Sequence, residues 1–291
     1  MSKKIIVTGA NGQLGRAIRN LYANNSEYEI IATDVVEGEG IKSLDITNVD
    51  ACVEMAKAEK AYAILNCAAY TNVDGCEVET DLAYKINAIG PRNLSIAATE
   101  SGAKMFHIST DYVFPGNQNK ELTEFDQVGP ISAYGRTKLA GENFVKEFSD
   151  KHFIVRTAWL YGDGKNFAKT MLRLAESNKE VNVVNDQFGS PTSALELAKA
   201  IQYLLPTENY GLFHGTCEGH CAWSDFTKEI YRLAGVDTVV NPITSEKYKE
   251  LFPNSADRPH YSILENYMLK LTGDYMFADW HDAIAEYLKE F

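Results

Sequence analysis

The chain has 291 residues, 45% of them hydrophobic, and carries 28 Lys and Arg against 40 Asp and Glu, a formal net charge of −12. An acidic surplus gains nothing from counterion release on DNA or RNA, which argues against nucleic acid as a partner, although a local cluster of donors can still hold an anionic ligand. No apolar run approaches the ~18 residues of a membrane span, and five cysteines, an odd number with no secretory leader ahead of them, point to reduced thiols in the cytoplasm.

Ile5 to Thr8 predicts a short buried strand that runs into Gly9-Ala10-Asn11-Gly12-Gln13-Leu14-Gly15, with a helix predicted over Gln13 to Asn25. G-x-x-G-x-x-G between a first strand and a first helix is a dinucleotide-binding pattern. The glycines allow a tight turn and close approach to a pyrophosphate, and the helix N-terminus offers unpaired N–H groups. Gly9, Gly12, Gln13, Leu14 and Gly15 are therefore candidate cofactor contacts, against the bland alternative of a glycine-rich turn without ligand. A second strand, Glu29 to Asp34, ends on a carboxylate about 20 residues after the third glycine, where it can accept from a ribose 2′-hydroxyl and repel a 2′-phosphate. Asp34 leans toward NADH, Arg16 could favour a phosphate, and the choice between NADH and NADPH stays open.

The alternation continues with a helix over Val49 to Glu59, a strand over Ala63 to Cys67, and a helical stretch over Asp81 to Ser101, broken or bent near Gly90-Pro91. A strand over Lys104 to Ser109, a helix over Tyr134 to Phe148 and a strand over Phe153 to Thr157 follow. This order implies a Rossmann-type, doubly wound parallel sheet over residues 1–160. Beyond it the alternation loosens. Helices are predicted over Phe167 to Glu176, Ser193 to Leu205 and Ser224 to Ala234, with a strand over Leu212 to Gly215, and Pro242, Pro253 and Pro259 punctuate the rest. Residues 161–291 read as a smaller C-terminal α/β substrate lobe, with the chain crossing between lobes more than once. His214, Cys217, His220 and Cys221 have a zinc-like mix of ligands but no standard spacing, so no metal is expected.

Tyr134-Gly-Arg-Thr-Lys138 places a phenol and an ammonium at i, i+4 on one helix face. A phenol with a pKa of about 10 exchanges protons poorly near neutrality, and a nearby ammonium would lower it. Lys138 could also bind the ribose of a nicotinamide. Y-x-x-x-K recurs by chance, so a third member is needed. Ser109-Thr110-Asp111-Tyr112 follows an apolar strand, and a hydroxyl there could donate to a substrate carbonyl as its oxygen gains charge.

With these motifs stand Asn66-Cys-Ala-Ala-Tyr-Thr-Asn-Val-Asp74, Arg156-Thr-Ala-Trp-Leu-Tyr161, Asn166-Phe-Ala-Lys-Thr-Met171, Asp186-Gln-Phe-Gly-Ser-Pro-Thr192 and Arg258-Pro-His-Tyr-Ser262. Over nearly its whole length the chain resembles the extended short-chain dehydrogenases/reductases, and within them the dTDP-4-dehydrorhamnose reductases. The resemblance implies Thr110, Tyr134 and Lys138 as catalytic triad, Asp45 and Ile46 along the adenine, Ala68 and Ala69 on the cofactor path, and Tyr70 and Trp159 beside the sugar. It implies NADPH- or NADH-dependent reduction of the C4 ketone of a nucleotide-activated 4-keto-6-deoxysugar, dTDP-4-dehydro-L-rhamnose to dTDP-L-rhamnose, a precursor of cell-surface polysaccharide. A homodimer is an expected assembly. Some relatives bridge dimers through magnesium on a glutamate shortly after the third glycine; Arg16-Ala17 stand here instead. Gly75-Cys76-Glu77 also departs from the family's more usual Lys-Ala-Glu. Two rivals remain. One is a non-catalytic dinucleotide-binding subunit resembling the regulatory subunit of methionine adenosyltransferase, which retention of all three triad residues disfavours. The other is a sugar-nucleotide epimerase or 4,6-dehydratase, for which Tyr112 after Thr110-Asp111 leaves the usual acid–base pair incomplete.

Overall fold

The computed structural model describes residues 2–289. Its first half runs β1 (Lys3–Thr8), α1 (Gln13–Leu21), β2 (Tyr28–Asp34), β3 (Lys42–Ser43), α2 (Val49–Glu59), β4 (Ala63–Asn66), α3 (Val73–Val78), α4 (Thr80–Tyr84), α5 (Gly90–Ser101), β5 (Lys104–Thr110), α6 (Ala133–Phe148) and β6 (His152–Thr157). The second half runs β7 (Leu160–Tyr161), α7 (Phe167–Ala175), β8 (Glu180–Val184), β9 (Phe188–Gly189), β10 (Thr192–Ser193), α8 (Ala194–Leu204), β11 (Gly211–His214), β12 (Cys221–Ala222), α9 (Trp223–Ala234), β13 (Val239–Ile243), α10 (Ser245–Leu251), α11 (Tyr267–Thr272) and α12 (Trp280–Leu288).

Seven parallel strands form one sheet in the order β11-β6-β5-β4-β1-β2-β3. The order reverses between β1 and β4, which defines a doubly wound Rossmann-type sheet. Both faces are buried, so the strands alternate between two apolar environments rather than between core and water. Ile5, Val7, Leu65, Phe106 and Phe153 face one cluster with Leu14, Ile18 and Leu197. Their neighbours Ile6, Ile64, Met105 and Ile154 face another with Cys52, Ala56, Leu94 and Val145. The seventh strand, β11, comes from beyond residue 160 and pairs with β6 over Phe153↔Gly211 to Arg156↔His214.

Two sequence expectations meet a different geometry. The first helix stops at Leu21, short of Asn25. The helical stretch does not break at Gly90-Pro91; Pro91 sits in the first turn of α5, where its missing N–H costs nothing. The irregularity lies one turn earlier, in a π turn over Lys85–Ile89. Buried Asn87 occupies that turn, accepting from the Tyr70 N–H at 2.8 Å and donating to the Tyr70 carbonyl at 3.1 Å and to Thr137 Oγ1 at 3.2 Å. The wider turn thus ties the loop after β4 to α6. Outside the main sheet, β8 and β13 pair in parallel, and Pro242 is accommodated because a two-stranded sheet leaves every strand with an edge.

Candidate active site

Open α/β sheets bind ligands beyond the carboxyl ends of their strands, at the point where strand order reverses. A cleft of about 750 Å³ opens there, lined by the β1–α1 loop, the ends of β2, β4, β5 and β6, and the start of α9.

Its phosphate-binding end is built from backbone. Gly9 has φ +62, and a Cβ on it would lie 2.8 Å from backbone atoms of Ala68. A Cβ on Gly15 would lie 2.4 Å from the Gly9 carbonyl oxygen, so this glycine sets the approach of α1 to the turn without lining the cleft. Gly12 caps α1 with no side-chain hydrogen bond and no acid in the first turn, which leaves the N–H groups and the positive end of the helix dipole for an anion. Gly9, Gly12, Gln13, Leu14, Asp34, Asp45, Ile46, Ala68 and Ala69 all line the cleft. Asp34 accepts from the Asn11 N–H at 3.0 Å and the Val35 N–H at 2.8 Å, which fixes its carboxylate against the glycine turn. Arg16 turns away from it and pairs with Asp163 at 3.4 Å. Asp45 accepts from the N–H and hydroxyl of Thr47 at 2.9 and 2.8 Å. A diphosphate with a ribose at Asp34 fits this donor and acceptor set.

The other end is reactive chemistry. Ser132 caps α6 by accepting from the Gly135 N–H at 3.1 Å, and so starts the helix that carries Tyr134 and Lys138. Lys138 is 2% exposed and donates to the Ile108 carbonyl at 2.6 Å. Burial drags its pKa down to about 8, with Glu142 pulling the other way. Burial likewise pushes the Tyr134 phenol up, helped by the Asp111 charge and opposed by a hydrogen bond with Thr110. The expected lowering of Tyr134 by Lys138 is not found: the phenol is pushed up, with burial the largest cause. Thr110 sits at the end of β5, its Oγ1 2.9 Å from Asp111 Oδ1 and accepting the Tyr112 N–H at 3.2 Å. Tyr112 meets the Tyr134 ring edge-on at 5.5 Å. Beneath them, Glu142 accepts two hydrogen bonds from Arg156 at 2.8 and 2.7 Å and one from Ser109 at 2.6 Å, clamping α6 to β5 and β6.

Trp159 follows β6 with φ 48, a left-handed conformation a bulky residue rarely adopts. Its ring stacks on Trp223, centroids 3.5 Å apart and planes 7° from parallel, and both line the cleft. Tyr70, expected beside the sugar, is not among the lining residues; its hydroxyl bonds to Glu79. From sequence, Asp111 carries only half of an incomplete dehydratase pair and Ser262 only the end of a motif, and Trp223 carries no site role. The signal for Trp223 is an aromatic immediately before the helix predicted over Ser224 to Ala234. His214, Cys217 and Cys221 do not converge as ligands: the His214 Nδ1 lies 3.0 Å from the Glu265 carbonyl, and among the described residues no group of three His, Cys, Asp or Glu side chains could hold a metal. Nor, among them, is any helix long and apolar enough to cross a membrane.

Residues 3–291 match the model of a family described as RmlD substrate binding domain. The chain is similar to a solved structure of a dTDP-4-dehydrorhamnose reductase from Clostridium acetobutylicum, with 51% identity, 99% of each chain covered and a TM-score of 0.92. It is similar to another from Bacillus anthracis, in complex with NADP, with 41% identity, full coverage of both chains and a TM-score of 0.92. A curated dTDP-4-dehydrorhamnose reductase from Aggregatibacter actinomycetemcomitans is 36% identical over 294 residues, covering 97% of each.

Proposed function

The chain belongs to the RmlD substrate binding domain family, and on that premise we propose that it is an NAD(P)H-dependent reductase that converts the C4 ketone of dTDP-4-dehydro-L-rhamnose to the alcohol of dTDP-L-rhamnose. One observation carries the reading: the glycine turn of β1–α1 and the group Thr110, Tyr134 and Lys138 line one cleft. Gly9, Gly12, Gln13 and Leu14 hold the cofactor diphosphate, Asp34 the adenine ribose, Asp45 and Ile46 the adenine edge, and Ala68 and Ala69 the path toward the nicotinamide. A reduced nicotinamide bound there would supply the hydride for C4. Tyr134 supplies the proton to the C4 oxygen. Its phenol is protonated at neutral pH, as a proton donor requires, and the ammonium of Lys138 stabilises the phenolate left behind. Trp159, backed by Trp223, forms the wall against the sugar. A dehydratase reading is disfavoured because both Asp111 oxygens are engaged, by Ser262 and Thr110. The free thiols of all five cysteines agree with work in the cytoplasm, where nucleotide sugars and NAD(P)H are at hand.

The test is NAD(P)H oxidation by the purified chain with dTDP-4-dehydro-L-rhamnose, alongside other nucleotide 4-keto-6-deoxysugars. Turnover should be fastest with the dTDP-rhamnose precursor, and Tyr134→Phe should lower kcat by about 10² to 10⁴-fold with cofactor affinity kept. A Tyr134→Phe variant with wild-type kcat would remove that residue from the chemistry.

A further inference from the structure

A cofactor and a nucleotide sugar bring two doubly charged diphosphates into the cleft of a chain whose net charge is −12. A cationic side chain makes a stronger bond to a phosphate oxygen than a neutral donor does. The glycine turn, Gly9 to Gly15, offers backbone N–H groups and no cation. Three cationic side chains line the cleft: Arg16, Lys138 and Lys165. Lys138 is buried and donates to the Ile108 carbonyl at 2.6 Å. Arg16 faces the carboxylate of Asp163 at 3.4 Å, and Lys169 reaches the same carboxylate at 3.6 Å. Lys165 is exposed, and among the described residues its ammonium has no hydrogen-bond or ion-pair partner.

The loop that carries Lys165 is built against the first turn of α1. Gly164 has φ +113, and a Cβ there would lie 2.6 Å from Arg16 Nη2 and 3.8 Å from Gln13 Cγ. A Cβ on Gly162 would lie 3.5 Å from Gln13 Cβ. The Asn166 amide donates to the Gly162 carbonyl at 2.6 Å and to Tyr287 Oη at 2.8 Å, and Tyr287 Oη donates to the same carbonyl at 2.8 Å. The side-chain oxygen of Asn166 accepts from the Lys169 N–H at 2.9 Å and so starts α7. The backbone on both sides of Lys165 is thus fixed, beside the helix end where Gly12 leaves N–H groups for an anion.

We propose that Lys165 is a diphosphate-binding residue: the loop over 162–166 holds it in the cleft as the side-chain cation that the glycine turn lacks. This rests on the reductase reading above, which brings the diphosphates to the cleft. Asp163 takes Arg16 and Lys169 and ties the loop to α1 and α7, so the carboxylate nearest in sequence does not neutralise Lys165. The cofactor and the nucleotide sugar present the same chemistry to an ammonium, and binding measured for each tells which of them Lys165 meets.

Calorimetric titration of the full chain tests it, first with NADPH and then, at saturating NADPH, with dTDP. At about 50 mM salt, Lys165→Gln should raise the Kd of at least one ligand by about 3- to 10-fold, between the effect of an exposed ion pair and that of a buried charged hydrogen bond. The gap should shrink to less than about twofold near 0.5 M salt, where an exposed charge is screened. Lys165→Arg should keep the wild-type Kd within about twofold, since a guanidinium also bonds phosphate. A loss with NADPH assigns Lys165 to the cofactor diphosphate, and a loss with dTDP assigns it to that of the nucleotide sugar. Wild-type Kd values for both ligands in Lys165→Gln overturn the proposal. So does a loss that high salt leaves unchanged or that Lys165→Arg shares, because packing rather than charge would then be at work. The exposed side chain can be changed without opening the core, and thermal unfolding confirms that each variant is folded. A wild-type chain that binds neither ligand sinks the reductase reading itself, whereas tight binding unaffected by Lys165→Gln sinks only the role of Lys165.

Discussion

Replacing Asp111 by Asn should stabilise the folded chain at alkaline pH. Burial pushes the Asp111 acid from its ordinary 3.8 to about 6, against the pull of the Ser262 and Thr110 hydroxyls. A folded-state pKa above the unfolded one contributes stability that is fully present below the unfolded value and is lost as pH rises through the folded one. The loss is complete near pH 8 and amounts to about 3 kcal/mol. Asparagine does not ionise, so it escapes this cost. Its amide oxygen can accept from one hydroxyl and its NH₂ can donate to the other, since both hydroxyls rotate. With an unfolding entropy of about 2.1 cal/mol/K per residue over 291 residues, about 3 kcal/mol corresponds to a Tm higher by about 5 °C. At about pH 5 the wild-type acid is largely protonated in the fold, and the advantage should fall to roughly half; below about pH 4 it should vanish. Thermal unfolding of both proteins by circular dichroism across this range is the assay. A variant less stable than wild type at pH 8, or a difference independent of pH, would refute the claim that a buried, ionised carboxylate sits at this position.

Three further substitutions test other parts of the cleft. Gly15→Ala places a methyl 2.4 Å from the Gly9 carbonyl and 2.7 Å from Ala10 Cα, both backbone; we expect about 1–3 kcal/mol of destabilisation and weaker NADPH binding by calorimetry, and unchanged affinity would show that the approach of α1 does not shape the turn. Asp34→Ala should weaken NADH about tenfold and NADPH less, on the scale of one charged hydrogen bond; equal effects would mean that the carboxylate serves only the Asn11 and Val35 N–H groups. Trp223→Ala removes the partner stacked on Trp159, so KM for the nucleotide sugar should rise while NADPH affinity holds and the near-ultraviolet dichroism of the pair disappears; a KM at the wild-type value would detach Trp223 from the substrate wall.

The nucleotide-binding half was legible because its signals are local. A buried parallel strand followed by a glycine turn and a helix is written in consecutive residues, and so is the i, i+4 relation of Tyr134 and Lys138. What escaped depends on contacts between distant segments. Nothing in Ser109-Thr110-Asp111-Tyr112 says that the Asp111 oxygens close on Ser262, 151 residues further on. Trp159 is held in a left-handed conformation that no local propensity favours, and its stacking partner stands on α9. Strand β13 contains Pro242, a residue that argues against a strand unless an edge is free, and the edge exists only because β8 supplies a lone partner. Pro91 suggested a break where the chain merely begins a helical segment, while the irregularity sits at Asn87, whose three hydrogen bonds reach the Tyr70 loop and α6.

The catalytic pair shows how a correct placement can carry the wrong electrostatics. The spacing puts an ammonium near a phenol, and Coulomb's law alone then lowers the phenol's pKa. In the fold, Lys138 directs its Nζ at the Ile108 carbonyl, and burial of the ring pushes Tyr134 the other way. Desolvation is the largest cause because the half-buried ring sits at the wall of the cleft, packed against Tyr112, where a phenolate loses hydration. A phenol is protonated at neutral pH with or without that shift. What the shift raises is the cost of giving the proton up, so the charge of Lys138 matters at the moment the proton leaves for the C4 oxygen.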